Sequence, residues 1–559
     1  MTANGADWLL AALAEQGIPA LFGNPGSTEL PLTDALGRQE GVRYVLALHE
    51  AVAVGMADGY AQATGGPAAV NVHVQPGLAN AMSGILNAAR CRVPLVVTVG
   101  QQVQSLIAGE PFLGGDVVGM ARPPAKGAWE VRRPDDLPGL LAEALATALA
   151  PPRGPVVLSL PVDVQLGPAP PAHVRVAPPR PRPPDADALD RAAALLATAR
   201  SPIVLAGDAV AHAGAGAALG ALADRLGAPV RGEPLPATVP LPTDHPLWRG
   251  PLPPFAAEIA PLLSDHDVVL AVGMPVFRLF GPSRGEPLPR EAALVHLEAD
   301  PHEVGKVHAP AVGLVGDPGL GLAGLLERLG PPPPETAARR AREVARAAAG
   351  RRLARARIAL AAAGERVGPA AFARAVAAAA GPRDLVVDEA LTSTRGLRAV
   401  ISRRTPATWL AHRGSALGWG LPAAVGAKLA DPGRRVMALQ GDGGLVFGAS
   451  AMWSAAHEGL GLALVVADNG GYEILRAGLE GLTGRAEGDW PGLALTGPRL
   501  GLEEICRGYG ASAARADRTA ELPDALADLW RRAAEGPAAL VVGVEGRTPP
   551  VGYPVSPAG

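Results

Sequence analysis

Residues 436–471 read VMALQGDGGLVFGASAMWSAAHEGLGLALVVADNGG. A hydrophobic strand, Val436 to Gln440, turns at Gly441-Asp442-Gly443-Gly444 and gives way to a helical stretch. A second hydrophobic strand, Leu462 to Asp468, ends at Asn469-Gly470-Gly471. Strand, helix and strand in this order form a parallel sheet with a crossover helix, and both turns then open at the carboxyl edge, where open α/β sheets bind ligands. One carboxylate and one amide oxygen there face a helix N-terminus and glycine-exposed backbone amides. That set suits a divalent cation held by few protein ligands and completed by the oxygens of a diphosphate. By itself GDGG is an ordinary turn between strand and helix. The matching Asn-Gly-Gly, twenty-seven residues beyond Asp442, sets it apart.

At 559 residues the chain is too long for one core, and three or four domains are expected. Hydrophobic residues make up 48%, so sizeable cores form without staples. A net charge of -3 provides no basic stripe, which argues against a nucleic-acid partner. Cys91 and Cys506 lie in apolar contexts far apart, as buried thiols of a reducing compartment do. The N-terminal MTANGADWLLAALAEQG lacks the basic segment and long apolar core of a secretory signal. No stretch reaches the roughly 20 continuous apolar residues of a membrane helix. A cytoplasmic protein without membrane partners is the expectation.

Two proline-rich stretches, Ala177 to Pro184 and Pro331 to Pro334, act as semi-rigid spacers. They divide the chain into 1–176, 185–330 and 335–559. Each part alternates β-rich runs with helical patterns, so three doubly wound parallel-sheet α/β domains are expected. Strands are readable at Ala20–Phe22, Tyr44–Leu48, Ala68–Val72 and Leu95–Val99 in the first part. The second shows Ile203–Ala206, Val268–Val272 and Leu294–Leu297; the third shows Leu385–Val387, Val436–Leu439, Leu462–Ala467 and Leu540–Val544. The stretch from Glu335 to about Ala363, rich in Arg, Ala and Glu, reads as a solvated helix.

Three polar residues of the first part each lie just past a strand. Ser27 follows the turn Gly23-Asn24-Pro25-Gly26, Glu50 opens the helix Ala51–Ala63, and His73 precedes Gln75-Pro76-Gly77. Each has an ordinary reading: Ser27 as the N-cap of a helix Thr28–Leu36, Glu50 as a first-turn carboxylate favoured by the helix dipole, His73 as a satisfied strand-end histidine. Their coincidence on one sheet edge favours a site.

The spacing of GDG from an Asn closing the next strand resembles the signature of thiamine-diphosphate enzymes. LFGNPGSTELP, ALHEAVAVGMADGYAQATGGPAAVNVH, NAMSGILNA and PLVVTVGQQ resemble the pyrimidine-binding domain of the benzoylformate decarboxylase branch. GSALGWGLPAAVGAKLADP and GDGG…NGGYEIL resemble its diphosphate-binding domain. The similarity runs from about Leu21 to Gly546 and is weakest in the middle. It makes 1–176 the pyrimidine-binding domain, 185–330 a central domain and 335–559 the diphosphate-binding domain.

The resemblance implies roles for particular residues. Glu50 contacts N1′ of the cofactor aminopyrimidine, favouring the imino tautomer that removes the thiazolium C2 proton. Leu417 is the bulky wedge that bends the cofactor, and the Ser415 carbonyl accepts from its aminopyrimidine. Asp442, Asn469 and the Gly471 carbonyl ligate Mg²⁺ or Ca²⁺, while Leu391, Thr392, Gly443, Gly444 and Tyr472 belong to the diphosphate cradle and cofactor pocket. Ser27 holds the substrate carboxylate and His73 moves protons at the reacting carbon. Ile474 and Leu475 line the pocket with branched aliphatic bulk. The chain departs from the pattern where the branch carries a second histidine, because Val276-Phe277-Arg278-Leu279-Phe280 puts Phe280 there. Phenylalanine has no proton to give, so water or another group must substitute for release of an aldehyde. A reacting carbon that stays unprotonated is also what a carboligase uses.

The resemblance further implies a site shared between the first domain of one subunit and the third of its neighbour, hence a homodimer at least and a homotetramer as the usual state. The middle segment resembles one that binds FAD in acetolactate synthases, but Gly207 to Gly214 is a weak nucleotide motif and a structural domain is favoured. The function expected is a thiamine-diphosphate- and Mg²⁺-dependent non-oxidative decarboxylase of a 2-oxo acid. The rivals are a carboligase or lyase on the same cofactor and a cofactor-binding protein without turnover. A nicotinamide dehydrogenase lacks its GxGxxG after a strand.

Overall fold

The computed structural model describes residues 3–281, 285–403, 405, 408–485, 488 and 490–546; the last residues of the expected third domain, 547–559, lie outside them. The described strands build three six-stranded sheets, and every pairing between them is parallel. The first contains β1 (Ala20–Gly23), β2 (Arg43–Leu46), β3 (Ala68–Val72), β4 (Leu95–Gln101), β5 (Ala128–Glu130) and β6 (Val156–Pro161). The second contains β7 (Pro202–Ala206), β8 (Val230–Gly232), β9 (Trp248–Pro251), β10 (Val268–Val272), β11 (Ala293–Glu298) and β12 (Val312–Val315). The third contains β13 (Leu385–Glu389), β14 (Trp409–Ala411), β15 (Val436–Gly441), β16 (Ala463–Asp468), β17 (Ser512–Ala516) and β18 (Ala538–Gly543). Central strands such as β4, β10 and β16 are buried along their whole length, as a sheet covered on both faces demands.

The first sheet runs in the order β2-β1-β3-β4-β6-β5 and the third in the order β14-β13-β15-β16-β18-β17. Renumbered within each domain, the two orders are the same. The middle sheet, β12-β11-β10-β7-β8-β9, has the other doubly wound order, that of dinucleotide-binding folds.

The first and third domains share a core through the helices Glu50–Thr64 and Gly420–Ala430. Glycine makes this crossing close, because a Cβ on Gly59 would strike the Ala423 backbone and one on Gly426 would strike the Met56 carbonyl. Gly55 lies against the Pro422 ring. Equating Gly59 with Gly426 also equates Met56 with Ala423 and Gly55 with Pro422, so the contact maps onto itself when its two sides are exchanged.

The expected solvated helix spans Pro334–Ala361 and buries only Thr336, Glu343 and Ala347. Pro334 opens it as its first residue, where the missing N–H is unneeded. Its arginines fasten it to the middle domain: Arg339 donates to the Leu226 carbonyl and Arg340 pairs with Asp224. The three domains also meet in buried ion pairs. Arg413 of the third donates to Asp208 and Glu233 of the middle, and Arg92 of the first donates to Glu298 of the middle. The Gly207 turn is thereby filled from within the protein. Asp208 accepts the Ala237 and Thr238 amides, and a Cβ on Gly207 would strike the Gly273 carbonyl.

Candidate active site

β15 and β16 deliver the two glycine turns to one edge. Asp442 begins the helix Asp442–Gly448 and is buried. One carboxylate oxygen accepts the Gly443 amide at 2.7 Å, the other those of Gly470 and Gly471 at 2.8 and 3.1 Å. Asn469 accepts the Gly471 amide with its side-chain oxygen at 3.1 Å. Asp442, Asn469 and Gly471 are therefore one knot of oxygens and amides. Burial pushes the Asp442 carboxyl above its usual range, and the three amides oppose that by favouring the charged form. Gly471 must be glycine, since a Cβ would strike the Leu493 carbonyl; Gly443 packs against the Tyr472 ring. Gly444 lies beside Gln440 and Glu389.

The segment carrying Ser415 and Leu417 follows β14 and is held from its own domain and from the first. Glu389, buried at the end of β13, accepts the Gly418 amide at 2.6 Å, the Gly420 amide and the Gln440 side chain. Burial raises its carboxyl to about 7. From the first domain, Asn87 accepts the Gly414 amide at 2.9 Å and donates to Asp58, which also accepts from Trp419 at 3.0 Å. Ser415 and Leu391 both have positive φ, 57° and 42°, unusual for residues with a Cβ and typical of functional rims. Leu391 and Leu417 stay 41% and 40% exposed, large apolar side chains on an edge, while Thr392 is buried.

The first sheet's edge gathers Ser27, Glu50 and His73 past β1, β2 and β3. Ser27 does not cap a helix as the N-cap reading had it. It opens a short 3₁₀ turn, Ser27–Glu29, whose cap position is Gly26, before the helix Leu30–Leu36. The His73 Nδ1 lies 2.8 Å from the buried Glu29 carboxylate and 3.1 Å from the Thr28 hydroxyl. Burial raises the Glu29 carboxyl, against the bonds from Thr28 and His73. Gly26 lies directly against the His73 ring, leaving no room for a Cβ. The Glu50 carboxylate is half-buried, accepts from Asn80 at 3.0 Å and lies beside Gly77.

A cavity of about 590 Å³ opens where the three domains meet. Phe280, Ile474, Leu391 and Ser415 all line it, so the chain brings these four together, and His412 joins them. Phe280 packs edge-on against Phe255. Leu475 is half exposed beside Ile474. Ser27, Glu50 and His73 lie on their own edge, the latter two engaged by first-domain groups.

Family models match along most of the chain: the thiamine pyrophosphate enzyme N-terminal binding domain over residues 3–115, the central domain over 189–325 and the C-terminal binding domain over 392–542. The sequence is 37% identical over 528 residues to benzoylformate decarboxylase of Pseudomonas aeruginosa, covering 92% of this chain and 94% of that one. The chain belongs to the thiamine pyrophosphate enzyme family. It is also 30% identical to the acetolactate synthase large subunit of Parasynechococcus marenigrum, over 84% of this chain and 76% of that one. A thiamine diphosphate-dependent 4-hydroxybenzoylformate decarboxylase of Rhodococcus jostii RHA1 superposes with a TM-score of 0.85 at 30% identity, over 97% and 99% of the chains.

The chain is thus a thiamine-diphosphate-dependent decarboxylase or carboligase, and its edges suit a thiamine pyrophosphate enzyme. Asp442, Asn469 and the Gly471 carbonyl are hard oxygen donors, and Gly441 leaves open space for a phosphate against its backbone. No cluster of three or more His, Cys, Asp or Glu suited to a metal occurs among the described residues. One carboxylate with neutral oxygens is the donor set of an ion that a diphosphate brings with it. Sequence reasoning passed over Glu29, Asn80, Asn87, Glu389 and His412. A signal existed for Glu389, a carboxyl closing a hydrophobic strand beside Leu391; Glu29, Asn80 and Asn87 act through partners remote in sequence, and His412 stands out only by the cavity it lines.

Proposed function

We propose that the protein is a thiamine-diphosphate- and divalent-cation-dependent non-oxidative decarboxylase of a 2-oxo acid. The observation that carries this is the joining of the Asp442–Asn469–Gly471 knot to a third-domain edge whose Leu391 and Ser415 line the cavity with Phe280 and Ile474. The relative named benzoylformate decarboxylase supports the same reading. When bound, the cofactor supplies the electron sink for the pair left as carbon dioxide departs.

The protein's part is to bind, orient and move protons. Asp442, Asn469 and the Gly471 carbonyl would hold Mg²⁺ or Ca²⁺, with Leu391, Thr392, Gly443, Gly444 and Tyr472 around the diphosphate. Leu417, braced through Glu389 and Asn87, would fix the cofactor's bent shape. Glu50, steadied by Asn80, would exchange a proton with the pyrimidine ring. Ser27 would hold the substrate carboxylate, and His73, oriented through Nδ1 by Glu29, would present its other nitrogen to the reacting group. Phe280, Ile474 and Leu475 favour an apolar substituent on the acid. Ser27, Glu50 and His73 stand on the first sheet's edge and Asp442 on the third's, and the exposed Leu48, Leu391, Leu417 and Phe447 offer apolar surface for a second subunit. A homodimer is the smallest complete unit, with a homotetramer the expected state.

The acetolactate synthase relative and the apolar Phe280 support a second reading, a carboligase on the same cofactor. Carbon dioxide and organic products from benzoylformate, pyruvate and branched 2-oxo acids, with and without thiamine diphosphate and Mg²⁺, separate the two. Cofactor-dependent aldehyde is the expected result. Ligated products would move the assignment to the carboligase, and tight cofactor binding without turnover of any acid would leave a binding protein.

A further inference from the structure

Decarboxylation of a 2-oxo acid to an aldehyde replaces a carboxylate with hydrogen: R–CO–COO⁻ and H⁺ become R–CHO and CO₂. The bond between the carbonyl and carboxyl carbons breaks, its electron pair stays with the carbonyl carbon, and one proton must arrive there. Phe280, on the cavity wall, has none to give. Among the described residues, the ionisable groups lining the cavity are Arg90, Arg278, Arg395, Arg398, Arg413, Asp388 and His412. Guanidinium groups do not release their protons in proteins. The Asp388 carboxylate is engaged by the Ala390 amide and the Thr394 hydroxyl at 3.2 and 2.9 Å. His412 remains.

Its setting is not that of a structural histidine. His412 comes directly after β14, on the same carboxyl edge as Ser415, and its ring meets Trp419 edge-to-face with centroids 6.2 Å apart. Trp419 is itself fixed by Asp58. The His412 Nδ1 is buried with no hydrogen-bond partner. A buried imidazole nitrogen left unsatisfied costs stability, and such exceptions in native proteins call for a functional account.

We propose that His412 carries the proton of this reaction, taking it up as the anionic 2-oxo acid enters the cavity and giving it to the former carbonyl carbon as the carboxylate leaves. The assignment rests on the decarboxylase reading above. Burial holds the imidazole at about 4, so in the protein alone it is neutral at pH 7. Desolvation is the cause, and an entering counter-charge opposes it. Arg413 adjoins it in sequence, Arg90 comes from the helix Val74–Cys91, Arg278 follows β10, and Arg395 and Arg398 follow β13. Among the described residues Asp388 is the one lining carboxylate, while Glu303 neutralises Arg278, Asp208 with Glu233 neutralise Arg413, and Glu258 acts on Arg395. A carboxylate entering beside the imidazole supplies the missing counter-charge and favours the imidazolium. Departure of neutral CO₂ removes that charge again, when the carbon can accept the proton. The imidazole ends neutral, and solvent restores its proton with the next substrate.

The test uses the full-length, cofactor-loaded protein with ¹³Cε1-labelled histidine, the His412 signal being assigned by its loss in H412F. Mandelate, which carries the carboxylate but cannot lose carbon dioxide as a 2-oxo acid does, is the probe. The expected result is an upward move of the His412 titration by at least one pH unit when mandelate is present; an unmoved titration overturns the proposal. H412F and H412Q are then compared with the native protein on benzoylformate. A fall in kcat of about 10²-fold with KM changed only a few-fold, and loss of the native decline in kcat toward alkaline pH, are expected. Native kcat with a native pH profile in both variants would equally overturn it. If the native protein decarboxylates no 2-oxo acid, the decarboxylase reading fails by itself, and the mandelate titration still decides whether His412 takes up a proton with a carboxylate.

Discussion

Asp442 and Glu50 are held in opposite ways, and substituting them should fail differently. Three backbone amides converge on Asp442, so Asp442→Ala leaves Gly443, Gly470 and Gly471 without their acceptor and loosens both turns. Affinity for thiamine diphosphate, read by fluorescence titration, is expected to fall about 10- to 100-fold, with excess Mg²⁺ unable to restore it. Among the described residues Glu50 accepts only from Asn80, and it is half exposed, so Glu50→Gln preserves the fold. It should bind the cofactor nearly as well as the native protein yet lose 10²-fold or more of its activity, measured as aldehyde formation at saturating cofactor. The sequence shows Asp442 and Asn469 because glycines announce them. Glu389 and His412 carry no such flag: the partner of one lies 29 residues away, and the significance of the other depends on a cavity drawn from three domains.

Asp58 shows what the crossing of the Glu50–Thr64 and Gly420–Ala430 helices holds in place. Buried there, it accepts from Gln62, Asn87 and Trp419, and desolvation raises its carboxyl to about 6 despite those bonds. A folded value above the unfolded one, about 3.9, means this group's stabilisation is complete below about pH 4 and is lost as pH rises through about 6. Asp58→Asn cannot titrate and turns an amide toward three donors. It should be less stable than the native protein in urea unfolding at pH 4, by a deficit that shrinks by roughly 3 kcal/mol as pH rises past 6. Among the elements, β3 and β10 match the sequence reading residue for residue, since β10 is a continuous apolar run and β3 is one but for Asn71. The strands passed over include β5, β8 and β14, each only three residues long and too short to show a period. β17, Ser512–Ala516, has no apolar alternation to reveal it.

Across the whole molecule, Arg413 is the most exacting junction. It satisfies Asp208 and Glu233, and burial beside Asp208 raises Glu233 to about 7 even with the guanidinium present. Arg413→Leu would strand two buried carboxyls and cost about 3–5 kcal/mol at neutral pH, seen as a lower urea midpoint. The raised Glu233 value makes that deficit largest at neutral pH, so the variant should regain stability as the pH falls toward 5. The three-sheet architecture was legible from alternating strands and helices. The docking of one sheet on another was not, because Arg413 and Glu233 stand 180 residues apart and neither belongs to a motif.

The first and third sheets share one strand order, and their corresponding helices meet in a contact that exchange of partners leaves unchanged. Such a contact is what two copies of a single polypeptide make across a two-fold axis. Within one chain, the first and third domains are therefore related by a local two-fold, with the middle domain standing between them in sequence. Because both halves of this contact belong to one sequence, the two edges need not be identical. One edge carries Glu50, His73 and Glu29, the other the Asp442–Asn469–Gly471 knot, a difference closed to an assembly of identical halves.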